Sequence, residues 1–89
     1  MTENLKRSII TNFKNSEMGL LRIKKNLKIS DLSNTETEEY LKEILLSTAL
    51  ADIETKGKNH YFNCLEKNAI LTVNSHSFTI ITAKQIKKT

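Results

Sequence analysis

The sequence predicts an α+β fold: two or three N-terminal helices packed on one face of a C-terminal four-stranded antiparallel meander. Three observations lead there. Apolar residues recur at helical steps in the first half of the chain. In the second half, three polar pairs, Gly57-Lys58, Lys67-Asn68 and Ser75-His76, separate strand-like runs at the spacing of two-residue hairpin loops. The register those loops imply sorts the side chains into one apolar and one polar face.

With two-residue loops, Ile53 faces Phe62, Phe62 faces Val73, Cys64 faces Leu71, Val73 faces Phe78 and Leu71 faces Ile80. All of these fall on one face. The other face collects Glu54, Tyr61, Asn63, Ile70, Thr72, Asn74, Ser77, Thr79 and Ile81, and Asn74 stands across from both Tyr61 and Ser77. A one-residue slip in any hairpin would mix the two sets, so three turns that agree support one another. Gly57 and Asn68 also tolerate the positive φ that tight turns use.

Taken in order, Leu5, Ile9 and Phe13 at four-residue steps, with Ile10 beside them, predict an amphipathic helix from about Thr2 to Lys14. Asn15 or Ser16 caps a second helix whose inward residues are Leu20, Ile23 and Leu27; Gly19, early in it, weakens helix formation. Arg22 with Asn26, and Lys24 with Lys28, form polar rows flanking that stripe. Thr35 to Glu38 has capping-box spacing and opens a third helix to about Leu50, with Leu41, Ile44, Leu45 and Thr48 inward and Tyr40 at the margin. Its acidic face would repel nucleic acid.

A length of 89 residues with 38% hydrophobic content fits one domain, 1–89, with one core. The single Cys64 cannot form an internal disulfide, and no apolar run has the length of a signal peptide or membrane span, so the expected compartment is a reducing cytoplasm, without a membrane partner. The net charge of +4 is segregated. Residues 1–30 carry seven basic side chains against Glu3 and Glu17, residues 31–54 carry seven acidic ones against Lys42, and the end is basic at Lys84, Lys87 and Lys88. Such a distribution can bind polyanions by counterion release, and a solvated surface gives the same counts.

Known chemistries leave few marks. His60 and His76 lack the companions a metal site needs, so neither a metal nor a cofactor is expected. No paired carboxylates, nucleophile elbow or Gly-rich phosphate loop is present. Cys64 falls on the core face, where a structural thiol is expected rather than a nucleophile. His76 reads as a turn residue; as a base, it could serve RNA cleavage near neutral pH.

The polar sheet face is the candidate site. Tyr61, Asn63, Asn74, Ser77 and Thr79 supply an aromatic, amides and hydroxyls, and Lys56, Lys58 and Asn59 rim one end. Stacking plus backbone charge is how proteins hold RNA and other single strands, although a plain solvent face has the same composition.

Three blocks, Met18 to Leu27 (MGLLRIKKNL), Lys56 to Tyr61 (KGKNHY) and Leu71 to Lys84 (LTVNSHSFTIITAK), resemble a family of short bacterial proteins catalogued only as a domain of unknown function. Its blocks look like G-I-x-R-I-K-x-N-L, R-K-G-K-N-W-Y and I-T-V-N-A-x-S-Y-T-I-I-T-A-H. The resemblance brings Arg22, Lys24, Asn26, Lys56, Gly57, Lys58, Asn59, Tyr61, Asn74, Ser77 and Thr79 into correspondence. Where the family carries Trp, Ala and His, this chain has His60, Ser75 and Lys84. The layout of leading helices and a terminal meander also looks like the fold of small toxin ribonucleases. Fold alone does not fix function.

The functional expectation is a small cytoplasmic domain that binds nucleic acid, RNA in the first place, without demonstrable catalysis. Arg22, Lys24, Lys56 and Lys58 would meet phosphates, while Tyr61, Asn63 and Asn74 would meet bases. Two alternatives stand beside it: a phage or mobile-element inhibitor that binds a nucleic-acid-handling host defence nuclease, and a toxin-like ribonuclease. A homodimer could form through a free sheet edge at residues 51–54 or 78–84, with Lys84, Lys87 and Lys88 as edge guards.

Overall fold

A computed structural model describes residues 1–86. Helix α1 spans Glu3–Asn12, starting where the Thr2 hydroxyl accepts the Leu5 N–H at 3.1 Å, and it buries Ile9 and Ile10. Helix α2 spans Glu17–Leu27 and buries Leu20, Ile23 and Leu27 as expected. Gly19 has a local reason. Its N–H donates to the Ser16 hydroxyl at 2.9 Å, and a Cβ there would stand 2.7 Å from that oxygen, so the glycine leaves room for the cap.

Helix α3 spans Asn34–Ser47. Its capping box is Ser33 with Glu36, two residues upstream of the expected Thr35 and Glu38. The Ser33 hydroxyl takes the Glu36 N–H at 3.1 Å and the Glu36 carboxylate takes the Ser33 N–H at 2.9 Å, which holds that carboxyl below the usual range. The helix stops short of Leu50: the backbone turns extended at Thr48, whose hydroxyl donates to the Ile44 carbonyl at 2.7 Å. Lys6 closes this end from α1, its Nζ donating to the carbonyls of Thr48 at 2.7 Å and Leu46 at 3.2 Å. An ammonium at a helix C-terminus satisfies free carbonyls and complements the dipole.

A short 3-10 turn, Leu50–Asp52, leads into the sheet. Strands β1 (Ile53–Lys56), β2 (Asn59–Cys64), β3 (Ala69–Asn74) and β4 (Ile80–Gln85) form the antiparallel meander in the order β1-β2-β3-β4. The first hairpin has the predicted register, Ile53 against Phe62, around Gly57 at φ 58°.

The other two hairpins depart from prediction. Four residues, Leu65 to Asn68, join β2 to β3, so Phe62 pairs with Leu71 and Cys64 with Ala69. Local bonds favour the longer loop: Asn68 sits at φ 58° and donates to the Leu65 carbonyl, while the Lys67 N–H reaches the Cys64 sulfur. The shift is even, so no side chain changes face.

Between β3 and β4 the loop occupies residues 75–79, built on Asn74, whose Oδ1 accepts from the N–H groups of His76 and Ser77. Phe78 takes φ 58° and packs at the margin of the core rather than opposite Val73. Val73 pairs instead with Ile80; a bulge then places Thr82 opposite Thr72 and Ala83 opposite Leu71. Ile81 is the extra residue. An odd insertion reverses the alternation beyond it, so Ala83 is buried while Thr82 and Lys84 are exposed. Asn74 faces Asn59, and Tyr61 faces Thr72, which corrects the expected Asn74 neighbours.

Helix α3 lies over β2 and β3, α2 packs chiefly on β4, and α1 packs on α3. Phe62, Leu71, Val73 and Ile80 meet Ile9, Ile23, Leu41, Ile44 and Leu45 in one core. The β4 edge is not free where it begins. Lys14 bridges Thr79 in parallel, donating to the Phe78 carbonyl at 3.0 Å and accepting from the Ile80 N–H at 2.9 Å. The expected edge guards Lys87 and Lys88 lie outside the described residues.

Candidate functional site

The sheet face turned away from α3 forms cross-strand rows. Glu54, Tyr61, Thr72 and Thr82 make the central one; Lys56, Asn59 and Asn74 lie to one side, and Asn63, Ile70 and Lys84 to the other. Helix α2 runs beside β4 and brings Asn26 to the same face. All of these but Asn74 line an open concavity of about 770 Å3. Tyr61 is half-buried in its central row, and Thr72 beside it is buried.

Five of the sequence-selected residues line this groove: Asn26, Lys56, Asn59, Tyr61 and Asn63. Asn63 already donates to the Asp52 carbonyl at 3.0 Å, which ties the 3-10 turn to β2. Asn74, Ser77 and Thr79 do not line it. They build the β3–β4 loop: Ser77 Oγ lies 2.9 Å from Thr79 Oγ1 and 3.3 Å from Asn74 Oδ1. Arg22 is exposed on α2 outside the groove, Lys24 is only 9% exposed on the same helix, and Lys58 is exposed in the first hairpin turn.

Sequence reasoning omitted Lys84 and Thr82 from the site. The bulge at Ile81 sends both to the groove, and no two-residue loop would have predicted it. The adjacent Ile80 and Ile81, followed by the small Ala83, were the available signal: two branched apolar residues in succession break a strict alternation. Charge in the groove is mixed. Lys56 pairs with Glu54 at 3.3 Å, both largely exposed, and Lys84 stands at the opposite rim, on β4.

Neither histidine lines the groove. His60 alternates with Tyr61 and faces the core, 5% exposed, with Nδ1 2.8 Å from the Thr55 hydroxyl. Burial holds its imidazole below the ordinary value, and the Met1 amino group adds to the effect. His76 is exposed in the β3–β4 loop. Cys64 is buried beneath the sheet, accepting from the Lys67 N–H. Among the described residues, no three His, Cys, Asp or Glu side chains are placed to hold a metal ion, and no helix is long and apolar enough to cross a membrane.

The groove can therefore offer a half-buried aromatic ring, amides, hydroxyls, the Glu54 carboxylate and two lysines. No curated protein and no solved structure is similar to the chain at a significant level. A family model described as "Protein of unknown function (DUF3781)" matches residues 7–84, from within α1 to within β4, and the chain belongs to that family.

Proposed function

We propose that the chain is a non-catalytic domain that binds single-stranded nucleic acid, RNA in the first place, along the open face of the sheet and in the cytoplasm. One observation carries the reading: Tyr61 lies half-buried in the middle of the groove, with Lys56 and Lys84 on opposite rims. A base stacks on the ring while phosphates on either side meet the lysines. Asn26, Asn59, Thr72 and Thr82 add amides and hydroxyls suited to base edges and 2′-hydroxyl groups. The acidic face of α3 lies on the other side of the sheet, away from the strand.

The test is titration of labelled single-stranded RNA and DNA oligonucleotides against the protein over a range of salt concentrations. Binding should weaken steeply with salt and favour RNA. Lys56→Ala and Lys84→Ala should each reduce the salt slope by about one. Absence of binding at low salt, or slopes unchanged by both substitutions, removes the proposal.

A protein partner, such as a host nuclease that an inhibitor would block, is the second reading. It is favoured by Met18 and Leu21, 68% and 64% exposed on α2 beside Arg22. A toxin-like ribonuclease has less support, since His60 and His76 both stand away from the groove.

A further inference from the structure

The strand β1 is the sheet edge that no other segment pairs with among the described residues. Its hairpin closes on Lys56 opposite Asn59 across Gly57-Lys58. In a two-residue hairpin the closing pair is hydrogen-bonded, and bonded pairs alternate along an antiparallel ladder. Lys56 and Glu54 therefore direct their backbone groups to β2, whereas Thr55 turns its N–H and C=O to the open edge. Ile53 also faces outward, but its N–H is already donated to the Leu50 carbonyl. Thr55 is thus the exposed pairing point of the edge.

The charges around Thr55 are antisymmetric. Asp52 and Glu54 precede it by three residues and one, and Lys56 and Lys58 follow it by one residue and three. A second copy laid antiparallel on this edge must bring outward residues against outward residues, which leaves few registers. Centred on Ile53, Asp52 would face the partner's Glu54. Centred on Glu54, that carboxylate would face its own copy. Both oppose like charges. Centred on Thr55, Glu54 faces the partner's Lys56 and Asp52 faces the partner's Lys58, and the symmetry repeats each contact.

We propose that β1 is a homodimer interface in which Thr55 exchanges two backbone hydrogen bonds with its copy and the four flanking charges pair across a two-fold axis. Exposed charges on a short edge strand normally deter pairing. Here they put at least one like-charge contact into each neighbouring register and none into the self-complementary one. Antiparallel edge pairing keeps like faces on the same side, so the two grooves lie next to each other on one continuous sheet. The inference does not rest on the nucleic-acid reading, because the protein alone should dimerise.

Sedimentation equilibrium of the full chain at low salt, without nucleic acid, tests this. The mass should rise toward a dimer with concentration, with a dissociation constant on the order of 10–500 µM, and fall back to the monomer as salt is added. Glu54→Lys and Lys56→Glu should each weaken association by roughly tenfold or more, because each opposes like charges. An equimolar mixture of the two variants should form a heterodimer, and the double reversal in one chain should restore the homodimer. Lys58→Glu, in the turn outside the ladder, supplies a milder reversal, and circular dichroism checks that each variant is folded. A wild type that stays monomeric, single reversals that associate like wild type, or a mixture that stays monomeric would overturn the interface.

Discussion

Tyr61 and Phe62 are neighbours in the chain and belong to different surfaces. Phe62 is fully buried between Ile53 and Leu71, under α3. Tyr61 stands between Glu54 and Thr72 in an open groove, half-buried, with lysines on the rims. The strand period of two separates them and the rest of the sheet follows. One face is apolar because the helices need something to pack on; the other keeps its polar groups because nothing in the described chain covers it. Stability should therefore be concentrated on the Phe62 face and binding on the Tyr61 face.

The largest break of this division is Phe62→Ala. It should cost about 3–5 kcal/mol in chemical denaturation, a large share of the stability of a small domain. A loss under about 1 kcal/mol would mean that the core is not centred there.

Next comes the bulge, which decides the faces of β4. Ala83→Leu should destabilise by about 1–3 kcal/mol, since Ala83 is buried on the strand against which α2 packs. Thr82→Val, one residue away on the groove, should stay within about 0.5 kcal/mol of wild type. Reversed outcomes would restore the unbulged register.

His60 is the polar exception on the apolar face, and it gives the smallest effect. Its folded-state imidazole is held below the ordinary value by burial, so the folded state disfavours the proton. The contribution to stability is present in full above about pH 6.5 and is lost as pH falls through the lower folded-state value. Denaturation series across this range should show stability falling toward acid, and His60→Gln should flatten the curve. An unchanged slope in the variant would assign the effect elsewhere.

Legibility followed the same division. The inward stripes of α1 and α2 could be read because burial imposes a period, and both faces of β1 and β2 could be read because Gly57 fixes the first turn. The β2–β3 loop was misread by two residues without harm, since an even shift leaves Phe62, Cys64 and Leu71 inward. At the bulge an odd insertion moved Thr82 and Lys84 into the groove and buried Ala83 in the core, and no local composition rule forces that choice. Asn74, Ser77 and Thr79 have the composition of a binding surface, yet their polar groups are spent on the loop itself. Asn26 was reached through family resemblance rather than periodicity, because only tertiary packing of α2 beside β4 brings it to the sheet.

Stacking on Tyr61 is what should hold a nucleic-acid strand on the open face. Its most direct test is a low-salt titration of single-stranded RNA against wild type and Tyr61→Ala, with the folded state of both verified by denaturation. Wild type should bind RNA and the variant should lose about 1–3 kcal/mol, roughly fivefold to more than a hundredfold, with stability little changed. Equal affinity of the two folded proteins, or no binding by either, would contradict it.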